Sequence, residues 1–167
     1  MSIIIEKATP ADALALLKYL KRIGGETDNL SFDAEGLPIT AEAEAEYLSQ
    51  LENSRDNVMF LAKDQGEIIG SADLNRLPRR MSHRGELSIS VAKDYWNRGI
   101  GRQLLSKIIV FARGNSFDLI DLQVRSDNLP AIHLYKAFGF RKICTYQAFF
   151  KIGDQKIDFD YMCLALD

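Results

Sequence analysis

The chain has 167 residues, a length that fits one domain and buries roughly 70% of the surface its unfolded form exposes, without disulfide or metal staples. Its 47% hydrophobic and 26% charged residues are ordinary for a globular protein, and a net charge of −2 lacks the basic excess of a general nucleic-acid binder. No apolar run reaches the 18 or more residues of a membrane span, and MSIIIEKATPADALALL has no basic region ahead of its apolar residues, so neither membrane segment nor signal peptide is expected.

Periodicity then divides the chain. SIIIEK (residues 2–7) reads as a strand, and Thr9-Pro10 opens a helix, with Pro10 in the first turn where its missing N–H costs nothing. Leu14, Leu17, Leu20 and Ile23 are its expected apolar stripe, and Gly24-Gly25 is expected to end it. From Thr40 the strong helix formers Ala, Glu, Leu and Gln predict a second helix through Glu52. NVMFLAK (57–63) and EIIGSADL (67–74) flank the turn DQG and form a hairpin. ELSISVAK (86–93) is the next strand, followed by a helix over 100–113, the strand DLIDLQV (118–124) and a helix over 128–138. Two last strands, RKICTYQAFFKI (141–152) and KIDFDYMCLAL (156–166), meet at Gly153-Asp154. No repeat, low-complexity tract or linker splits the chain. Residues 1–167 are therefore expected to form one α/β domain with a mixed sheet, hairpins giving antiparallel pairs and strand–helix–strand steps giving parallel crossovers.

Cys144 and Cys163 lie far apart in no metal-ligand spacing, which predicts two core thiols in a reducing cytoplasm. His83 and His133 are isolated, and no metal site is expected.

The stretch YWNRGIGRQLL (95–105) carries the chemistry. Ile100, Leu104, Leu105, Ile108, Ile109 and Ala112 fall at helical spacing, so Gly99 and Gly101 sit at a helix N-terminus directly after a strand. Free N–H groups collect there, the helix dipole is positive, and glycine lets an anion approach the backbone. The alternative is a plain loop whose glycines supply positive φ. Two phosphate motifs are excluded: no GK[ST] follows for a P-loop, and Leu104 stands where the dinucleotide fingerprint needs a third glycine.

The next segment, SDNLPAIHLYKAFGF (126–140), places Asn128 and Tyr135 seven residues apart on nearly one helix face, with Pro130 in the first turn and Gly139 as the cap. With this segment, the strand–Gly-rich turn–helix–strand–helix order resembles the GNAT superfamily of acyl-CoA-dependent N-acetyltransferases. The pyrophosphate loop of that family, Q/R-x-x-G-x-G/A, reads here Trp96-Asn97-Arg98-Gly99-Ile100-Gly101, and its N…A…Y…GF pattern matches Asn128, Ala131, Tyr135, Gly139 and Phe140. The motifs cover residues 68–140, and the flanking element order extends the resemblance to the whole chain. It implies a GNAT-like single domain, with a mostly antiparallel mixed sheet of about seven strands, a parallel central pair and about four flanking helices. One departure is Trp96, where Gln or Arg is usual; backbone amides bind phosphate without that side chain.

The resemblance assigns acetyl-CoA as co-substrate. Its pyrophosphate would meet the amides of residues 97–102, namely Asn97, Arg98, Gly99, Ile100, Gly101 and Arg102, while Asn128, Ala131 and Tyr135 complete the cofactor set. The strand ELSISV alternates, with Leu87, Ile89 and Val91 on one face and Glu86, Ser88 and Ser90 on the other. In the family this strand parts from its parallel neighbour, so the backbone of Ile89, Ser90 and Val91 would pair with the pantetheine amides as another strand does.

The implied reaction is direct attack of a substrate amine on the acetyl thioester. An alkylammonium with a pKa near 10.4 is only about 0.04% neutral at pH 7, so a base or proton path is needed. Glu86 is the candidate base, working through water; its bland alternative is a surface carboxylate at a strand end. Family members that keep the base on the following strand have it where this chain has Gln123, which can position a group but not take a proton. Tyr135 matches the general acid at the departing sulfur, against the alternative of a packing tyrosine. Asn128 is a cofactor contact, a helix cap, or both.

The acceptor is less legible. Between Glu26 and Ser54 stand eight acidic residues and no lysine or arginine, in the region that forms one wall of the family's acceptor groove. An acidic wall would favour a cationic acceptor, whether a small molecule or a protein N-terminus, against the alternative of a solvated acidic helix. Glu26, Phe149 and Tyr161 are candidate acceptor contacts, and the last two strands would border either the acceptor groove or a homodimer contact. Arg76, Arg79, Arg80 and Arg84 form an opposing basic stretch. Neither nucleic acid nor membrane is an expected partner. The rival reading is a domain that binds acyl-CoA without turning it over.

Overall fold

The computed structural model describes residues 2–167. In chain order it contains β1 (Ile3–Lys7), α1 (Ala13–Glu26), α2 (Ala41–Leu51), β2 (Asn57–Asp64), β3 (Glu67–Arg76), β4 (Arg84–Val91), α3 (Ile100–Gly114), β5 (Leu119–Arg125), α4 (Leu129–Ala137), β6 (Arg141–Ile152) and β7 (Gln155–Ala165). The strands form one sheet in the order β1-β2-β3-β4-β5-β7-β6. Every neighbouring pair is antiparallel except β4 and β5. This is the expected mixed sheet with a parallel central pair.

The β4–α3–β5 step is the parallel crossover that a single intervening helix predicts. The connection from β1 to β2 holds two helices instead, so the chain returns to the starting end and the pair is antiparallel. The step through α4 also departs from the simple rule, because β7 inserts between β5 and β6 and pairs antiparallel with both.

The two sheet faces carry separate cores. Phe60, Ala72, Leu74, Leu87, Ile120 and Leu122 pack against Leu104, Leu105 and Ile108 of α3 on one face. Leu61 and Ile68 pack against Leu16, Tyr19 and Ile23 of α1 and Leu48 and Leu51 of α2 on the other. At roughly 25 cal/mol per Å² of apolar surface, these two layers supply the main driving force for folding.

Three sequence expectations need correction. The buried stripe of α1 is Ala13, Leu16, Tyr19 and Ile23, and Leu14 is exposed, because the 3-10 turn Pro10–Asp12 sets the rotation of the helix that follows. Gly24 and Gly25 do not end α1. The helix runs on to Glu26, and Gly24 is a packing residue, since a Cβ there would collide with the Asp33 carbonyl. Cys144 is exposed on β6 rather than in the core, because β6 is an edge strand whose residues from Arg141 to Phe149 all reach solvent.

Candidate active site

The central feature is a parting of strands. β4 pairs with β5 only from Arg84 to Glu86, facing Leu119 to Asp121. On its other side β4 stays paired with β3 as far as Val91 opposite Gly70. Beyond Glu86 the β5 side of β4 therefore opens into a cleft. Ile89, Ser90 and Val91 line a cavity of about 790 Å³ that begins there.

The same cavity is lined by Asn97, Gly99, Ile100, Gly101 and Arg102 at the mouth of α3, and by Asn128, Ala131 and Tyr135 on α4. The turn into α3 requires left-handed backbone at two places, Asn97 (φ 60°) and Gly99 (φ 78°). Gly99 is the N-cap, and space around its missing Cβ is open. Among the described residues, the amides of Asn97, Gly99, Ile100, Gly101 and Arg102 have no protein acceptor, and the first α3 amide to find one is Gln103, bonded to Gly99 O at 3.1 Å. A row of unused donors at the positive end of a 15-residue helix suits a diphosphate. Arg98 is exposed, with its guanidinium 5.1 Å from the centre of the Tyr95 ring, and Arg102 lies 5.2 Å from the Phe138 ring.

Asn128 caps α4, its Oδ1 accepting from the Ala131 amide at 3.4 Å, while also lining the cavity. Tyr135 is buried on α4 beside the Phe140 ring, and its hydroxyl bonds no protein group among the described residues. Burial pushes its phenol up to about 12.

Sequence reasoning missed the job of Trp96. Its indole Nε1 donates to the Val91 carbonyl at 2.7 Å, tying the loop back to the end of β4. The departure from Gln or Arg was visible; the partner was not. Tyr95 adds a second tie, its hydroxyl donating to Asp64 Oδ2 at 3.1 Å.

The face of β4 opposite the α3 core carries Glu86, Ser88 and Ser90, and Ser90 Oγ lies 3.0 Å from the Tyr19 hydroxyl of α1. Register puts Asp121, Gln123 and Arg125 of β5 on this face, with Cys163, Tyr161 and Phe159 of β7 opposite them. Tyr161 lies within electrostatic reach of Asp121 and Glu86, and burial followed by those charges raises its phenol. Glu86, Gln123 and Tyr161 thus share one sheet face without lining the 790 Å³ cavity itself. Asp121 is almost fully buried and is held by a two-pronged contact from Arg84, 2.6 Å at each oxygen. Arg84 is therefore not part of a free basic patch.

A second cavity, of about 670 Å³, lies between the α1–α2 connection and the β6–β7 hairpin; Asp28, Asp33 and Phe149 line it. Phe149 also packs on Phe150 and Phe159. Glu26 does not face either cavity. Its carboxylate accepts from Arg22 Nε at 2.9 Å and from the Lys93 amide at 2.8 Å, joining α1 to the turn that leads into α3. Among the described residues no group of His, Cys, Asp and Glu is arranged to hold a metal ion, and no helix is long and apolar enough to cross a membrane.

Residues 27–140 match the model of the acetyltransferase (GNAT) family. The chain is 35% identical over 93 residues to the N-alpha-acetyltransferase RimI of Mycobacterium tuberculosis, covering 55% of this chain and 57% of that one. It is 32% identical over 100 residues to the L-amino acid N-acetyltransferase AaaT of Escherichia coli, covering 58% of this chain and 61% of that one. The matched segment thus spans about three-fifths of these relatives. A crystal structure of a GNAT-family acetyltransferase from Streptococcus pneumoniae is 30% identical, with a TM-score of 0.95 over 99% of this chain and 100% of that one. Sheet, cleft, amide row and family model agree: the chain belongs to the GNAT acetyltransferase family, whose acyl donor is acetyl-CoA.

Proposed function

We propose that the chain transfers the acetyl group of acetyl-CoA to a primary amine by direct attack of the amine on the thioester. One observation carries the reading: the unpaired amides at the start of α3, the open side of β4 and Tyr135 lie along a single cavity. That is the shape of a carrier with a diphosphate at one end and a reactive thioester at the other. Bound there, the donor supplies an activated acetyl group.

The protein's own groups divide the work. The α3 amides hold the diphosphate, and free backbone groups of Ile89 to Val91 pair with the carrier arm; Trp96 already occupies the Val91 carbonyl, so that strand contributes its remaining groups. Tyr135 points its hydroxyl at the departing sulfur. With its phenol at about 12, full proton transfer to a thiolate of ordinary pKa would be uphill by about 5 kcal/mol. Tyr135 therefore acts by a hydrogen bond that strengthens as negative charge grows on sulfur. Glu86 borders the cleft on the acceptor side and takes the proton from the amine, directly or through water.

The acceptor is a cationic amine on a small molecule or a protein N-terminus. The eight acidic residues between Glu26 and Ser54, with no lysine or arginine among them, support this, and Asp28 and Asp33 line the second cavity. Release of free thiol from acetyl-CoA across a panel of amino acids, peptides and diamines tests the reading. Turnover with at least one amine, reduced by Tyr135→Phe, is expected. Tight acetyl-CoA binding with no amine turned over would instead favour a sensor.

A further inference from the structure

Asp73 stands outside both motifs, yet the register brings it to the acceptor side of the sheet. It faces Ser88 across the β3–β4 pair, and Asn75 faces Glu86. Facing residues share a side, so Asp73 and Glu86 are diagonal neighbours, typically about 7–8 Å apart. Asn75 Nδ2 donates to Asp73 Oδ2 at 2.8 Å, and no protein donor reaches Oδ1 among the described residues. Asp73 as a residue is half-buried.

Arg84 aside, the groups on this face around it are neutral or acidic. β4 supplies Glu86, and β2 supplies Met59 opposite. From α2 come Tyr47, whose hydroxyl reaches Asn75 Oδ1 at 3.4 Å, and the buried Glu44, whose carboxyl burial raises. From α1 comes Tyr19, engaged with Ser90. Burial lifts the Asp73 carboxyl to about 6; the Asn75 hydrogen bond opposes this, and the Glu86 charge adds to it. The cation on this face of β4, Arg84, is taken up by Asp121.

We propose that Asp73 is a second carboxylate of the acceptor site, seating the incoming alkylammonium between itself and Glu86 and taking the first proton from its nitrogen. This rests on the acetyl-transfer reading above. In the overall reaction an alkylammonium and the acetyl thioester give an amide, a free thiol and one proton. The nitrogen–carbon bond forms as the carbon–sulfur bond breaks. The first ammonium proton passes to Asp73 and then to water; the second, which Glu86 takes as the nitrogen–carbon bond forms, ends on sulfur. Two carboxylates a diagonal apart repel when alone, and a cation between them removes that cost, so the site selects the charged amine and then deprotonates it. A base poised near the working pH performs this better than a fully solvated carboxylate.

The test uses the full chain with acetyl-CoA and 1,4-diaminobutane as amine probe, following thiol release from pH 5 to 9. In the parent, kcat is expected to rise through about pH 6 and then level. Asp73→Asn is expected to lose that step and at least tenfold in kcat, with the acetyl-CoA KM within twofold of the parent. Glu86→Gln is expected to keep the step but move it to lower pH, because a neighbouring negative charge is gone. Parent-like kcat and profile in Asp73→Asn would overturn the proposal, as would parallel losses of kcat, acetyl-CoA affinity and thermal stability, which mark a structural role. If the parent turns over no 1,4-diaminobutane, the acetyl-transfer reading fails for this amine, and a carboxyl 13C titration of Asp73 decides separately. A midpoint lowered by the bound diamine supports the site; one that neither the diamine nor Glu86→Gln moves refutes it.

Discussion

The indole nitrogen of Trp96 and the carbonyl of Val91 are joined at 2.7 Å, so the loop ahead of α3 is fastened to the last residue of the splayed strand. In the proposed reading, the diphosphate end and the thioester end of the cleft are thereby held in one frame. Trp96→Phe keeps the ring and removes the donor, leaving a carbonyl unpaired at a cost of about 1 kcal/mol. The acetyl-CoA KM should rise roughly threefold to tenfold with kcat little changed. Steady-state kinetics check this, and an unchanged KM would show that the tie is incidental.

Gly99 combines a positive φ with open space where a side chain would stand. Gly99→Ala should therefore cost about 1–2 kcal/mol of stability from backbone strain alone. Gly99→Glu adds a carboxylate beside the diphosphate and should weaken CoA binding well over tenfold beyond the alanine variant. Calorimetry on the two variants separates strain from charge. Equal affinities would reject the loop as the diphosphate seat.

Tyr135→Phe should lower kcat by tenfold or more while the acetyl-CoA KM stays within a few-fold. Because burial holds the phenol at about 12, Tyr135 keeps its proton throughout the range below pH 10. Steps in the parent's pH profile below that value should persist in the variant at reduced rate. Disappearance of such a step would mean that Tyr135 titrates in the working range.

Arg84 shields the charge of Asp121, which is 1% exposed. Arg84→Met would leave a buried carboxylate uncompensated and should destabilise the chain by roughly 3–5 kcal/mol. A fall in Tm of about 10 °C is expected, largely recovered in the double variant with Asp121→Asn. A double variant as unstable as Arg84→Met alone would show that the loss lies in packing rather than charge.

Legibility in the sequence follows the range of the interaction. The amide row was readable because its parts are contiguous: a strand, two glycines and an apolar helical stripe stand within about twenty residues. Asn128 and Tyr135 were readable because seven residues on a helix return to one face. The stripe of α1 was misread because a 3-10 turn rotates it, and Gly24 because its close neighbour, Asp33, lies beyond the end of α1. The place of Asp73 was hidden for a related reason, since its partner Glu86 comes from another strand and only pairing register puts them on one side.

Local spacing was enough to predict the element order and the row of free amides at the mouth of α3, and the motif resemblance to predict the family, because backbone hydrogen bonding and side-chain periodicity repeat over a few residues. Only the folded chain decided where β4 leaves β5, what Trp96 holds, and which carboxylates share a face of the sheet. Those features depend on contacts between residues distant in sequence, whose geometry is set when both sheet faces bury their apolar layers together.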